Sequence, residues 1–312
     1  MTRARRIAVV ALLALLGPAA AAYAEPLAWA VNSRGNLPNN DEVHALWQVD
    51  LATGESSYVG WTSFLDMEGL ALADDGTLFG ADDESNSLVT VSTATGLGIA
   101  VGNQRTNFGI ALSEVLDLGM TFTCDGRLLV SSDQRETLYE ADPDTGLLTP
   151  IGAAGSLGAP ITDIAAWGGA VYGIGQGLDS SGASDSPNLY AIDPVDGTAT
   201  EIGPLGAAVS PYANAGLSFD ADGQLWALTD RRDGGNPNLF SEVLRIDTET
   251  GTASKIADAD VVGFESLAIA PTGGCDRGSP AIVPVPALGR SGLLVLGLLL
   301  LALGWTLLAP RR

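Results

Sequence analysis

His44, in NNDEVHALW, is the only histidine among 312 residues, so one side chain alone has an ordinary pKa near neutrality. Serine and cysteine hydrolases set such a base beside a nucleophile, and no G-x-S-x-G occurs here. A zinc site would need several His or Cys ligands, which the chain lacks. His44 therefore reads as an ordinary loop residue, and no catalytic residue is assigned. Carboxylates offer more. Glu68, Asp163 and Glu265 open the segments EGLALA, DIAAWG and ESLAIA, each leading into a short run of small and apolar residues. If those runs are strands converging on one axis, acids from different parts of the chain face a common point, with Asp66, Asp117 and Asn214 near them. Glu68, Asp163, Asn214 and Glu265 are accordingly the expected metal ligands, an oxygen set suited to calcium.

The elements that would position these acids are set by a repeat. LWQVDLATG (46–54), LVTVSTATG (88–96), LYEADPDTG (138–146), LYAIDPVDG (189–197) and VLRIDTETG (243–251) recur with the period of propeller blades. In LYAIDPVDG, Tyr190 and Ile192 share one face of a strand. Asp193 can accept a bond from the backbone two residues on, Pro194 presets the turn, and Gly197 supplies a left-handed conformation. An apolar residue follows each closing glycine by five positions, so each unit is a hairpin. A second pair, strand, Asp-Gly turn, strand, precedes it in 69–82, 119–133 and 216–230, with 163–175 a degenerate copy. The expected fold is all-β, a five-bladed β-propeller of four-stranded antiparallel blades. Its first unit has three strands and SLAIAP (266–271) only the innermost one, so N-terminal strands and the C-terminal strand complete one blade and hide both edges. Six blades would need a cryptic unit in 102–118. Loops 32–44, 176–188 and 231–242 are of one class and should share a face.

Residues 25–278 carry all 37 acidic residues against nine basic ones, a net charge of −28. Such a surface excludes nucleic acid and anionic lipid and attracts cations or basic partners. Residues 1–24 read as a signal peptide, with Arg3, Arg5 and Arg6 before an apolar core and an Ala22-Tyr23-Ala24 cleavage site. Residues 279–292 form a linker, 293–309 an uncharged run just long enough for a transmembrane helix, and 310–312 a basic cytoplasmic stub. The body, 25–278, would then lie outside the cytoplasm, at the outer surface or in the cell envelope, tethered before any processing. Export permits a disulfide between the two cysteines, Cys124 and Cys275, which both follow an innermost strand. Closing that loop contributes on the order of 4–5 kcal/mol in the chain-entropy model.

Val285-Pro286-Ala287-Leu288, the apolar run and the basic stub together resemble the IPTL-CTERM type of sorting signal, a relative of the PEP-CTERM signals. That resemblance implies a membrane protease of the exosortase type as a partner. Residues 27–271 resemble propeller-repeat proteins with LYxIDPxTGxxTxIG units that often carry such tails, which implies a surface or matrix role without a defined activity. Surface polysaccharide or another surface protein is the partner class that this address suggests. Glu68-Gly69-Leu70 and Asn214-Ala215-Gly216-Leu217 are similar to inner-strand motifs of the gluconolactonase propellers. That family has six blades and binds a divalent metal through Glu, Asn and Asp, whereas the order here is Glu68, Asp163, Asn214. The expectation is a non-enzymatic binding module, with a calcium-dependent lactonase-type hydrolase as the alternative. Convergence of the acids on one point favours the hydrolase, and scattering favours the binding module.

Overall fold

The computed structural model describes residues 26–34, 43–111, 116–232 and 239–275. The signal peptide, the sorting motif and the apolar tail lie outside these residues, as do parts of loops 32–44 and 231–242. Among the described residues no helix is long and apolar enough to cross a membrane.

Nineteen strands form five antiparallel sheets around one axis. Blade 1 holds β1 (Leu27–Asn32), β2 (Ala45–Asp50) and β3 (Ser56–Trp61). Blade 2 holds β4 (Met67–Leu72), β5 (Leu78–Asp82), β6 (Ser87–Val91) and β7 (Gly98–Ala100). Blade 3 holds β8 (Leu118–Phe122), β9 (Leu128–Ser132), β10 (Thr137–Ala141) and β11 (Leu148–Ile151). Blade 4 holds β12 (Ile161–Trp167), β13 (Ala170–Gly175), β14 (Asn188–Ile192) and β15 (Ala199–Pro204). Blade 5 holds β16 (Tyr212–Phe219), β17 (Leu225–Arg231), β18 (Phe240–Ile246) and β19 (Ala253–Val262).

The expected closure is present. Phe264 and Ala268 bridge Asn32 and Trp29 antiparallel, and the Trp29 and Ala268 backbones exchange bonds of 2.7 and 2.9 Å. Between them the Val31 N–H donates to Ser266 Oγ at 2.9 Å, so a side chain replaces one ladder bond. The C-terminal segment is thus the innermost strand of blade 1, and the ring closes without a free inner edge.

Each of the five repeated nonapeptides forms the third strand of its blade and the turn after it. The Val195 N–H donates to Asp193 Oδ1 at 2.8 Å, and Asp50, Asp142 and Asp247 repeat the arrangement. The closing glycines have φ between +73° and +82°. Four of them also meet a strand of the preceding blade, and Gly146 meets the Asn107 side chain. A Cβ on Gly96 would fall 2.3 Å from the Gly60 carbonyl oxygen of blade 1, and one on Gly251 would fall 2.4 Å from that of Gly203 in blade 4. Glycine is therefore required twice over, for the turn and for blade-to-blade contact. The apolar residues form five clusters, one at each blade interface, such as Phe79, Met120, Val130 and Tyr139 between blades 2 and 3. Neighbouring blades cover the second strands on both faces, so β5 and β9 are buried along their whole length.

The inner strands β4, β8, β12, β16 and the closing segment all begin on one face, here the upper one. At the lower face the chain from Ala268 to Cys275 crosses beneath the channel. The Gly168 N–H donates to the Gly273 carbonyl at 3.0 Å, the Thr272 hydroxyl bonds the Phe122 carbonyl, and Cys124 and Cys275 form a disulfide. A cavity of only 20 Å³ remains there, lined by Leu70, Met120, Leu217 and Ala268 among others.

The 102–118 stretch is no cryptic blade among its described residues. Asn107 uses its amide as a strand would, accepting from the Leu88 N–H at 2.7 Å and donating to the Leu88 carbonyl at 2.9 Å. Loop 176–188 is ordered around Asp179, whose Oδ1 accepts from the Ser181 and Ala183 N–H groups.

Candidate metal site at the upper mouth

Glu68 and Glu265 hold the same place in adjacent blades. Each precedes a small residue, Gly69 or Ser266, that lets inner strands crowd at the axis: a Cβ on Gly69 would lie 2.9 Å from the Leu118 carbonyl. Equivalent positions in the ring bring the two carboxylates together, and Asp66, two residues before Glu68, joins them. One oxygen from each of Asp66, Glu68 and Glu265 lies within 4.8 Å of the other two. Both glutamates are buried, and Asp66 is partly exposed at the opening.

Electrostatics at this point are unfavourable to three charges. Burial holds the Glu68 carboxyl well above the usual carboxylate range, and Asp117, Glu265 and Asp66 push it further. Asp66 is raised to about 7, first by burial and then by Glu265, Asp83, Asp117 and Asp82. Glu265 is raised by burial, against a hydrogen bond from Ser33 and the charges of Arg34 and Arg232. One Glu68 oxygen accepts from the Leu118 N–H at 2.6 Å. A hard dication would relieve the repulsion among the remaining oxygens, which is the chemistry this trio can perform.

A second arc of acids backs the trio. Asp83 is raised to about 6 and Asp133 to about 9, in both cases chiefly by burial. Asp133 accepts from the backbone N–H of Gln134. Asp117 links the arcs by side-chain contact with Glu68 and Asp133, and holds a left-handed backbone, φ +37°, that a non-glycine residue rarely adopts. Asp82 is fully occupied, accepting from the Asp66 N–H at 3.0 Å and from both the N–H and the hydroxyl of Ser85. Inner-strand starts do not reveal Asp82, Asp83 and Asp133. They end or follow the second strands, which the hairpins return to the upper face, where Met67 pairs with Asp82 and Leu118 with Ser132.

Of the four residues expected as ligands, Glu68 and Glu265 stand together, and the Asp163 carboxylate is held by backbone instead. Asp163 stands one residue further into its strand than Glu68 does, at the place where blades 2, 3 and 5 carry Gly69, Gly119 and Gly216. Its carboxylate accepts three backbone N–H bonds, Met120 at 2.9 Å and Ile164 at 2.8 Å on Oδ1 and Leu217 at 2.6 Å on Oδ2. Asp163 thereby ties the inner strands of blades 3, 4 and 5 together. Asn214 lies at the irregularity between Tyr212 and Ala215 where β16 meets β17, and its Oδ1 is buried without a hydrogen-bond partner. Asp66, treated in the sequence as a neighbour, is the third member of the trio. His44 precedes β2 with φ +57°, and burial lowers its pKa.

No family model matches the chain, and no curated protein matches it in sequence. Solved propellers resemble it at low identity. A gluconolactonase from Xanthomonas campestris aligns at 11% identity and a TM-score of 0.43, covering 78% of this chain and 86% of its own. A virginiamycin B lyase from Staphylococcus aureus aligns at 14% identity and a TM-score of 0.37, over 68% of this chain. The hydrazine synthase of Kuenenia stuttgartiensis aligns at 17% identity and a TM-score of 0.39, over 70% of this chain. This chain spans 62% of the lyase and 61% of the synthase.

Proposed function

We propose that the protein is an exported, surface- or matrix-associated propeller that acts as a non-enzymatic binding module and holds a divalent cation at its upper mouth. The observation that supports the cation is the meeting of Asp66, Glu68 and Glu265 at one point. Carboxylate oxygens favour calcium over softer ions. With the ion bound, the three acids would be charged and ordered, and the upper loops would be set around them. Asp163, whose carboxylate is occupied by backbone N–H groups, does not join the trio. Glu68 and Glu265 meet while Asp163 stands apart, so the convergence that would favour the hydrolase is met in part.

The partners proposed by address are surface polysaccharide or a surface protein, and an exosortase-type protease acting near Val285–Leu288. An intact-mass measurement on the native protein that finds the tail retained would remove the protease from this account.

The test of the cation is thermal melting of the purified protein in millimolar calcium and in EDTA. At a hundredfold excess over Kd a site stabilises by about 2.7 kcal/mol. For a domain of this size that is a rise of about 5–10 °C. The E68Q/E265Q double variant should lose the rise. Superimposable curves for the unaltered protein would sink the cation site. Lactone hydrolysis that needs calcium and disappears in E68Q/E265Q would instead favour the hydrolase.

A further inference from the structure

Beside the acidic trio the mouth changes sign. Asp230, at the upper end of β17 and fully buried, accepts from Arg34 on Oδ1 and from Arg232 on Oδ2, where Nε lies at 3.1 Å and an amino nitrogen at 3.0 Å. One carboxylate thus gathers two guanidinium groups, one from blade 1 and one from blade 5. Residues 25–278 contain only nine basic residues, and two of them meet on this one carboxylate. The pair is under mutual repulsion: burial, and next the charge of Arg232, lower the pKa of Arg34. Both groups are within reach of solvent, with 23% of the Arg34 side chain and 42% of the Arg232 side chain exposed. Glu265 feels both poles, since it belongs to the trio and interacts with both arginines.

We propose that Arg34 and Arg232 form an anion subsite, so that the upper mouth accepts a sugar bearing a carboxylate, a uronate unit, with its acid on the guanidinium pair and its hydroxyls toward the cation trio. Arg232 spends Nε and one amino nitrogen on Asp230, and its second amino nitrogen, on a side chain 42% exposed, can donate to a ligand carboxylate. Asp230 fixes the direction of both forks beforehand, which lowers the ordering cost of binding. A chain carrying −28 has no general attraction for anions. An acidic sugar must therefore be held by this local pair. The inference deepens the binding-module reading and shares the mouth with the proposed cation, but it is tested separately from it.

The experiment is isothermal titration of the purified protein, in calcium and at low salt, with galacturonate and with galactose as the neutral counterpart. Calcium alone is titrated in a parallel arm. Galacturonate should bind and galactose should not. R232Q should weaken galacturonate by about tenfold or more, the loss of one charge-assisted contact, while calcium still binds, any change in that arm reflecting the charge removed from beside Glu265. R232K, which keeps the charge but not the fork, should fall between, and decides the matter if R232Q does not fold. Equal binding of the two sugars, no binding of galacturonate, or full affinity in both variants would overturn the subsite. In the last case the arginines only neutralise Asp230 and Glu265. Galacturonate binding with a silent calcium arm would keep the subsite and defeat the cation site.

Discussion

At the upper mouth the inner strands begin beside Asp66, Glu68, Asp117 and Glu265. At the lower end the same strands finish among Phe122, Trp167 and Cys124, with the C-terminal segment drawn across them. The lower end follows stability: small space, satisfied hydrogen bonds and a covalent link. The upper end departs from it, with carboxyl groups held far above their usual range by burial and by one another. Stored electrostatic cost concentrated at one end of an otherwise well-satisfied channel is the pattern of a binding site. The contrast is between a face tied by a disulfide and backbone bonds and a face that gathers buried carboxyl groups.

Breaking the lower end should have the largest effect on folding. C124S/C275S opens a link of sequence separation 151. It should cost about 4–5 kcal/mol in the chain-entropy model, a fall of about 10–20 °C in Tm, while any calcium-induced shift keeps its size. Within the channel, D163A leaves three buried N–H donors without an acceptor and should cost about 3 kcal/mol or more. Denaturant melts would measure that loss. The contrast is sharp if D163A retains its calcium response and E68Q/E265Q, more modestly perturbed in stability, does not.

A further effect concerns pH. Asp66, Asp83 and Asp133 have folded-state pKa values raised to about 7, 6 and 9 from an ordinary 3.8. Between those limits the folded state binds more protons than the unfolded chain, so stability falls as pH rises. In EDTA, Tm should therefore decline from about pH 5 toward pH 8 and 9, through the range set by those raised values. Calcium should flatten the decline. A cation-free protein whose Tm rises over that range would show that the mouth is not under the strain described.

Much of this was legible from spacing. The nonapeptides mark the third strand of every blade, the ring closes through 264–268, and the two cysteines meet because both follow inner strands to the lower face. The site was legible in part. Glu68 and Glu265 are true equivalents, whereas Asp163 resembles them in sequence yet stands one position further along its strand. A shift of one residue turns a side chain to the other side of a strand. Asp163 therefore enters the channel and bonds backbone, and Glu68 faces its neighbouring glutamate. Asp83 and Asp133 were not legible, since they follow second strands and reach the mouth only because each hairpin folds back.

By itself the sequence determined the period, the hairpins, their turn chemistry and the partner for each cysteine, because these depend on contacts that recur at constant separation. Only the tertiary structure decided which acids share a site, that the C-terminal segment crosses the lower end, and that Arg34 and Arg232 meet on Asp230. Those depend on the angle between blades and on the register within each hairpin. Both are fixed by five buried interfaces acting together, and no stretch of local sequence carries them.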